Sequence, residues 1–249
     1  MSIEQAIATT ELLEVIVDDA AKVAKEDQHG FAMLRRAGLG ASDASVLLGV
    51  NLYTSREELI KQKRSVQITQ EEIDIGNLEN VRRGRDLEPI ILGEFSERFG
   101  IDVHKPKPMY RVKEEPSLII NFDGVVQLGE ELIPVEAKYV SRYAKRYWNK
   151  AAAIKDLYAV AKLNPITNMH TANLKEHIEE CAKLCGIPPY YYTQVQQQML
   201  GLNAPFGYLA SLWDAGWEYL TFAIPKDEVV QRAIKQEGKH TWTVIKTLN

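Results

Sequence analysis

The fold of this chain is decided by the stretch Asn121-Phe-Asp-Gly-Val-Val-Gln-Leu-Gly-Glu-Glu-Leu-Ile-Pro-Val-Glu-Ala-Lys138. Its β-branched and aliphatic runs are separated by the turn signals Asp123-Gly124 and Gly129-Glu130, which predicts neighbouring strands joined by a short hairpin. Side chains alternate along a strand, so Glu136 and Lys138 project from one face. We expect Asp123, at the end of the preceding strand, to lie beside them.

Two carboxylates that converge in this way indicate a site for a hard cation. Asp123 and Glu136 supply oxygen ligands, which suit Mg²⁺ or Mn²⁺ better than zinc. The ammonium group of Lys138 would then lie beside the attacking water and a phosphate. Taken alone, the pair of Glu136 and Lys138 is more typical of the solvated face of an edge strand, so this interpretation depends on the rest of the chain.

Apolar periodicity outside this stretch predicts the remainder of the sheet. Between residues 101 and 139 short apolar runs alternate with turns, and two later runs are joined at Asp214-Ala-Gly216. We expect strands at residues 109–112, 118–122, 125–128, 133–135, 205–213 and 217–224.

Helical periodicity predicts helices around this sheet. Ser55 and Glu58 form a capping box, Pro188-Pro189 introduces a later helix, and Ser42 or Asp43 is a natural N-cap. The predicted fold class is α/β, with a central mixed β-sheet of about five strands flanked by helices, and with N- and C-terminal helical additions. We expect helices at residues 3–25, 55–63, 76–99, 142–162, 174–184, 191–202 and 226–247.

The composition limits the class of protein. With 249 residues and 45% hydrophobic residues, the chain is long enough for one sizeable domain, which we place at residues 1–249 with its core at about 34–224. The balance of 30 Lys+Arg against 34 Asp+Glu excludes a uniformly basic coat, so any contact with DNA must be local. Two cysteines cannot build a disulfide framework, and no secretory signal or long apolar run is recognisable. We therefore expect a soluble cytoplasmic protein of a bacterial cell or a phage-infected host.

Four motifs together resemble one nuclease family. Asp123 with Glu136-Ala-Lys138 resembles the PD-(D/E)xK nuclease signature, with Phe122 where the name has proline. Three further elements resemble those of the lambda-exonuclease and YqaJ-type phage recombination nucleases, and they follow the family's order. Four ordered matches are much more specific than one. The three elements are Gly40-Ala-Ser-Asp43 followed by Leu48-Gly49 and Tyr53, then Gly84-Arg-Asp-Leu-Glu-Pro89, and finally Pro188-Pro-Tyr-Tyr-Tyr-Thr-Gln-Val-Gln-Gln-Gln-Met199.

The resemblance implies a restriction-endonuclease-like core and metal-dependent phosphodiester hydrolysis. Asp123, Glu136 and the backbone carbonyl of Ala137 would hold one or two Mg²⁺ or Mn²⁺ ions, which lower the pKa of the attacking water. Lys138 would position or deprotonate that water. Glu88 would be a third carboxylate that ligates a second ion or a coordinated water, with an ordinary exposed helix glutamate as the alternative.

Two glutamines of the last motif are candidates for the same site. Gln194 and Gln196 are uncharged, so they can hydrogen-bond phosphate oxygens or a coordinated water without competing for the ion. The resemblance favours Gln194 as the active-site member and leaves Gln196 as a candidate for DNA binding. The alternative is the polar face of an amphipathic helix.

The resemblance also implies a pocket for a 5′-terminal phosphate, formed by Arg35 or Arg36 together with Ser42. A guanidinium is a bidentate phosphate ligand, and a serine at the start of a helix adds a hydroxyl beside free N–H groups. Helix capping alone is the alternative role for Ser42.

A basic and aromatic stretch follows the catalytic strand. Residues 142–150 interleave three aromatic rings with four cations, among them Arg142, Lys145 and Arg146. Such a stretch can hold a DNA backbone by Coulomb attraction while the rings stack against bases. The alternative is the solvated basic face of a helix.

Membership of this family would imply digestion of one strand of linear double-stranded DNA, from the 5′ end, to give single strands for recombination. It would also imply a homotrimeric ring and a single-strand annealing protein as partner. Two alternatives stay open at this point. One is a structure-specific or site-specific endonuclease on the same fold, and the other is a catalytically silent DNA-binding module.

His177, Cys181 and Cys185 repeat every four residues and suggest zinc. The outer two would lie about 12 Å apart along a helix axis, too far to share one ion, so we expect core or partly buried side chains. Two thiols are also too few for an iron–sulfur cluster. The surrounding insert at residues 164–185 is open to interpretation as a lid, a partner surface or a structural helix.

Overall fold

The computed structural model describes residues 3–20, 22–23, 28–69, 72, 78–142, 144, 147–157 and 164–247. Its helices are α1 (Ile3–Thr9), α2 (Gln28–Arg35), α3 (Ala44–Leu47), α4 (Arg56–Arg64), α5 (Glu79–Phe99), α6 (Leu174–Cys185), α7 (Pro189–Leu202) and α8 (Glu228–Thr247), with 3-10 turns at Ala41–Asp43 and Lys150–Ala152. Its strands are β1 (Leu13–Val17), β2 (Met109–Val112), β3 (Ile119–Ile120), β4 (Gly124–Leu128), β5 (Glu131–Val140), β6 (Phe206–Trp213) and β7 (Glu218–Pro225).

The strands form two sheets. The larger sheet has the order β4-β5-β6-β7, with β5 and β6 parallel and the other pairs antiparallel. The smaller antiparallel sheet has the order β1-β2-β3. The α/β class is confirmed, although the mixed sheet has four strands instead of about five. Parallel neighbours need a long crossover, and the segment that joins β5 to β6 carries α6 and α7.

The expected helix over residues 3–25 is wrong between Thr10 and Asp19, whereas Ile3–Thr9 and residues 20, 22 and 23 are helical. Leu13–Val17 is a strand that pairs with β2, with Leu13 opposite Val112 and Val17 opposite Met109. The run Leu-Glu-Val-Ile-Val is rich in β-branched residues, and the backbone ladder offered by β2 overrides its weak helical period. Positions 21, 24 and 25 of the predicted helix lie outside the described residues.

The expected helix over residues 142–162 is also wrong in its described part. Trp148 is packed between Trp213 (ring centroids 5.5 Å apart) and Phe222 (5.3 Å), and Ile154 forms a β-bridge with Thr221. Packing of this partly buried indole and the bridge to β7 prevent a continuous helix here, and the described segment contains only the short 3-10 turn at Lys150–Ala152 as a regular element. Residues 143, 145, 146 and 158–163 lie outside the described part of the chain.

Other predicted elements agree with the structure within a few residues. Ser55 and Glu58 form the capping box of α4, in which Ser55 Oγ accepts from the Glu58 N–H (3.2 Å) and Glu58 Oε2 accepts from the Ser55 N–H (2.7 Å). Within the described residues, no helix is both long and apolar enough to span a bilayer.

Helix α7 lies at the centre of the molecule and is buried along most of its length. Gly207 on β6 allows its close approach, since a Cβ there would lie 2.6 Å from Val195 Cγ1. Gln197 of α7 donates to the carbonyls of Leu39 (3.0 Å) and Ile119 (3.1 Å), which joins the helix to the smaller sheet. The helix therefore fixes the two sheets relative to each other.

A buried polar network surrounds Asp227 at the start of α8. Its carboxylate accepts from Tyr192 Oη (2.8 Å) and His177 Nε2 (2.9 Å), and from the N–H groups of Val229 (3.1 Å) and Val230 (3.0 Å). His177 and Asp227 are fully buried. This carboxylate thus joins α6, α7 and α8.

Candidate active site

The structure brings Asp123 and Glu136 together at the open end of the β4–β5 hairpin, opposite its turn. Gly124 pairs with Val135, so one further step of the same register places Asp123 opposite Glu136. Asp123 Oδ2 accepts a hydrogen bond from the Ala137 N–H (3.0 Å). The N–H and carbonyl of one strand residue point to the same edge, so the Ala137 carbonyl also points toward Asp123.

Glu136 is held by amide and ammonium donors in a buried position, where it is 1% exposed. Lys138 Nζ contacts Glu136 Oε1, and Gln194 Nε2 donates to the same oxygen (2.5 Å). Gln198 Nε2 donates to the other oxygen, Oε2 (2.5 Å). These contacts fix the direction in which the carboxylate points.

Lys138 is a cation in this arrangement. Burial disfavours its charge, but the carboxylates of Glu136 and Asp123 outweigh burial and raise the pKa of the ammonium group. Its Nζ also lies 5.3 Å from the centroid of the Tyr191 ring. Of the two roles expected for Lys138, these contacts favour positioning of water and phosphate over removal of a proton.

The cluster is electrostatically suited to a divalent cation. Burial and the nearby Glu136 carboxylate raise the pKa of Asp123 well above its usual value, and the Lys138 ammonium only partly offsets them. Like charges in such a site repel each other unless a cation lies between them. Two carboxylates with the Ala137 carbonyl form an all-oxygen donor set, which fits a hard ion such as Mg²⁺.

Glu88 reaches the same cluster from α5. Its carboxylate contributes to the raised pKa of Asp123, and it forms an ion pair with Lys105. Its side chain is 20% exposed, so it is not an ordinary solvated helix glutamate. Lys105 has no counterpart among the sequence predictions, because it lies in an irregular segment outside every motif.

The glutamines of α7 divide between two faces of the helix. Gln194 contacts Glu136, whereas the sequence predicts a contact with phosphate or a coordinated water, and Gln198, four residues later on the same face, contacts Glu136 as well. Gln196 is fully buried on the opposite face, where it donates to the Pro225 carbonyl (2.8 Å) and accepts from the Asp227 N–H (3.0 Å). The expectation that Gln196 contacts DNA is therefore wrong, and helical spacing from Gln194 could have identified Gln198.

This division predicts opposite phenotypes for two neighbouring glutamines. Gln198→Leu should slow DNA digestion by about 10- to 100-fold, because Glu136 loses an orienting donor. Gln196→Leu should lower the free energy of unfolding by about 2–4 kcal/mol with little change in rate, because it leaves buried backbone groups unpaired. Rates on end-labelled duplex and urea unfolding measure both effects. Exchanged phenotypes would contradict the assignment of the faces.

The structure also brings Arg35 and Ser42 together. Arg35 Nη2 lies 3.3 Å from Ser42 Oγ at the surface. Lys63 Nζ contacts the Arg35 carbonyl (2.7 Å) and Asp43 Oδ2 (2.7 Å), which fixes the turn behind them. Arg36 is buried instead and binds the Ser65 and Gln67 carbonyls and Glu72, so only Arg35 has a guanidinium free to face a ligand at this turn.

Ser42 does not cap α3 with its side chain. The N-cap position of α3 is Asp43, whose carboxylate accepts from the Gly40 N–H (2.8 Å) instead of bonding the helix. The alternative role of Ser42 as a simple cap is therefore not supported.

The basic stretch after β5 is only partly described. Arg142 is exposed and forms an ion pair with Asp214 (3.2 Å). Lys145 and Arg146 lie outside the described residues, so their expected contact with DNA stays a prediction.

Comparisons with known proteins agree with this architecture. The family model described as YqaJ-like viral recombinase domain matches residues 30–201. The uncharacterized protein YqaJ of Bacillus subtilis (strain 168) is 31% identical over 128 residues, which cover 51% of this chain and 38% of that protein. The match thus spans well under half of this relative.

Two solved structures of an alkaline exonuclease, LHK-Exo, share the fold. The Laribacter hongkongensis enzyme superposes with a TM-score of 0.56 at 15% identity, over 86% of this chain and 91% of that chain. LHK-Exo in complex with dAMP gives a TM-score of 0.54 at 16% identity, over 87% and 91% of the two chains.

Proposed function

This chain belongs to the YqaJ-like viral recombinase domain family, and from that membership and the carboxylate geometry we propose that it is a metal-dependent DNA exonuclease. It hydrolyses one strand of linear double-stranded DNA, in the 5′ to 3′ direction. The observation that carries the proposal is the convergence of Asp123 and Glu136 beside Lys138, where the pairing of β4 with β5 has ended and β5 continues beside β6.

The residues divide the work of phosphodiester hydrolysis. Asp123, Glu136 and the Ala137 carbonyl would hold a divalent ion, with Glu88 as a further carboxylate. The ion, Mg²⁺ or Mn²⁺, supplies positive charge that acidifies the attacking water and offsets the charge that develops on the phosphate. The Lys138 ammonium orients water and phosphate, and Gln194 and Gln198 keep the Glu136 carboxylate in its direction.

The 5′ polarity rests on Arg35 and Ser42, which bind the terminal phosphate. Gln197 supports this assignment, because it ties the turn that begins at Leu39 to the helix that contacts Glu136. A phosphate held by Arg35 is thereby kept at a fixed position relative to the metal ligands. The phosphate pocket selects the 5′ end of the strand, and the phosphodiester bond is hydrolysed at the carboxylate site.

Assembly and partners complete the proposal. With a formal net charge of −4, the chain needs a local basic surface to hold DNA, and a ring of three copies can concentrate a basic lining in a central channel while the outside stays acidic. The single strand produced is the substrate for an annealing protein in phage recombination. Sedimentation with and without a duplex end measures the number of copies.

The central test is digestion of linear duplex labelled at either end. We expect loss of the 5′ label first, dependence on Mg²⁺ or Mn²⁺, and faster digestion of 5′-phosphorylated ends. Covalently closed circular duplex should survive. Cleavage of the circle would favour the endonuclease alternative, and binding without any hydrolysis would favour the silent DNA-binding module.

Arg35→Ala should remove most of the preference for a 5′ phosphate. A charge-assisted hydrogen bond contributes about 1.5–3 kcal/mol, so the rate ratio between phosphorylated and hydroxyl ends should fall by about 10- to 100-fold. Arg232→Ala, at an exposed position of α8, is the matched control and should leave the ratio unchanged. An undiminished ratio in Arg35→Ala would remove the basis for the pocket.

A further inference from the structure

A second cluster of metal-binding side chains lies in the insert that the motifs leave unexplained. Ligand atoms of His170, His177 and Cys181 all lie within 4.8 Å of one another. Cys185, which the helical repeat had grouped with them, is not part of this cluster, whereas His170 comes from the loop before α6.

This cluster is separate from the catalytic carboxylates. Tyr192 and Gln196 of α7 face Asp227 and, through it, His177. Gln194 and Gln198, on the opposite face of the same helix, contact Glu136. The helix therefore stands between the two groups.

The hydrogen bonds of His177 define its protonation state. Nε2 faces the Asp227 carboxylate (2.9 Å), which also receives the Tyr192 hydroxyl, so Nε2 carries the proton. Nδ1 accepts from the His170 N–H (3.0 Å), so it is the unprotonated nitrogen and its lone pair is directed at the loop. A histidine whose other nitrogen donates to a carboxylate is the usual arrangement of a metal-bound imidazole.

Cys181 supplies a thiol at the same place. Its Sγ lies 3.9 Å from both ring nitrogens of His177 and is buried. Burial raises the pKa of this thiol to about 11, so in the absence of an ion it is a poor nucleophile. The His170 ring is stacked on His177 with centroids 5.2 Å apart and is exposed, so it can turn toward the other two groups.

We infer that His170, His177 Nδ1 and Cys181 Sγ form a binding site for a zinc-class cation, with solvent at the fourth position. Two imidazoles and a thiolate are borderline to soft ligands, which select Zn²⁺ and exclude Mg²⁺. Tetrahedral zinc requires ligand atoms about 3.3–3.6 Å apart, so the widest separation in this group shortens by up to about 1.5 Å on binding. The exposed loop of His170 provides that movement, and the ion replaces the His170 N–H at Nδ1.

The role of this site is to fasten the insert to the body of the molecule. The ion joins the loop before α6 to that helix, and Asp227 carries the connection on to α7 and α8. The inference does not depend on the proposed nuclease activity.

The test is a Co²⁺ titration of the full-length, chelator-treated chain in excess Mg²⁺, which occupies the carboxylate site. A thiolate bound to Co²⁺ gives a charge-transfer absorption that oxygen ligands do not give. We expect this absorption to saturate at one Co²⁺ per chain, to disappear when Zn²⁺ is added, and to be accompanied by a higher melting temperature with either ion. If the unsubstituted protein shows no charge-transfer absorption with Co²⁺, the proposed site is wrong.

Four variants locate the ligands. Cys181→Ser should abolish the charge-transfer absorption, and His170→Ala should weaken Co²⁺ binding by about 10-fold or more. Cys185→Ser and His240→Ala, a nearby thiol and an exposed imidazole of α8, are the controls and should retain both. Since His170 is exposed, its replacement should leave folding intact. His170→Ala therefore tests the proposed ligand set even if Cys181→Ser does not fold. Unchanged Co²⁺ affinity in His170→Ala, or loss of absorption in Cys185→Ser alone, would overturn the assignment.

Discussion

Asp123→Asn is expected to slow the digestion of linear duplex by about 10³-fold or more, while affinity for DNA ends is retained. The variant removes one of the two carboxylates that face the cation, and the charge stabilisation supplied by such an ion amounts to several kcal/mol. An asparagine oxygen can still accept from the Ala137 N–H, so the strand geometry is preserved. Single-turnover rates on end-labelled duplex, with binding measured separately in Ca²⁺, provide the two quantities.

The same variant should not lose stability. Folding raises the pKa of Asp123, chiefly through burial and the Glu136 carboxylate, so the ionised side chain destabilises the folded chain at neutral pH. Removal of its charge therefore leaves the melting temperature equal or higher. Glu131→Gln, at an exposed acid of the same hairpin, is the control and should keep the parental rate. Parental activity in Asp123→Asn would end the nuclease proposal, whereas a lower melting temperature would assign Asp123 a structural role.

Asp227→Ala should have the largest effect on stability. It deprives the Tyr192 hydroxyl, the His177 Nε2–H and two N–H groups of α8 of their acceptor, all in a buried environment. Removal of one partner from a buried network of this kind lowers the free energy of unfolding by about 3–5 kcal/mol. In a chain of this size the melting temperature should fall by roughly 6–20 °C.

The measurement should be made on chelator-treated protein, so that no bound ion contributes to the difference. Glu228→Gln, at the next position, removes a charge outside the network and should change the melting temperature little. A fall in catalytic rate without a fall in melting temperature would show that the network acts on the active site and not on stability.

The sequence predicted best those features that are encoded over a few consecutive residues. Two-residue alternation placed Glu136 and Lys138 on one face, and the Ser55–Glu58 box located the start of α4. The approach of Asp123 to this face followed from the hairpin turn alone. In each case the local geometry is independent of the rest of the chain.

Features that depend on distant partners were missed. Leu13–Val17 is a strand only because β2 offers it a ladder, and the segment around Trp148 forms no continuous helix because Trp213 and Phe222 receive the indole. His170 could not be grouped with Cys181 from spacing, since the loop conformation brings it there. Gln198, in contrast, was accessible to helical spacing, but the motif drew attention to Gln194 and Gln196.

Helix α7 makes the chain unusually sensitive to a change of length in one segment. Gln194 and Gln198 point to the catalytic strand, Gln196 to the start of α8, and Gln197 to the smaller sheet. Insertion of a single alanine after Thr193 would rotate every later side chain of the helix by about 100° and break all three sets of contacts at once. We therefore expect related proteins to differ by substitutions within this helix. Insertions and deletions should occur only in the surface loops that flank it.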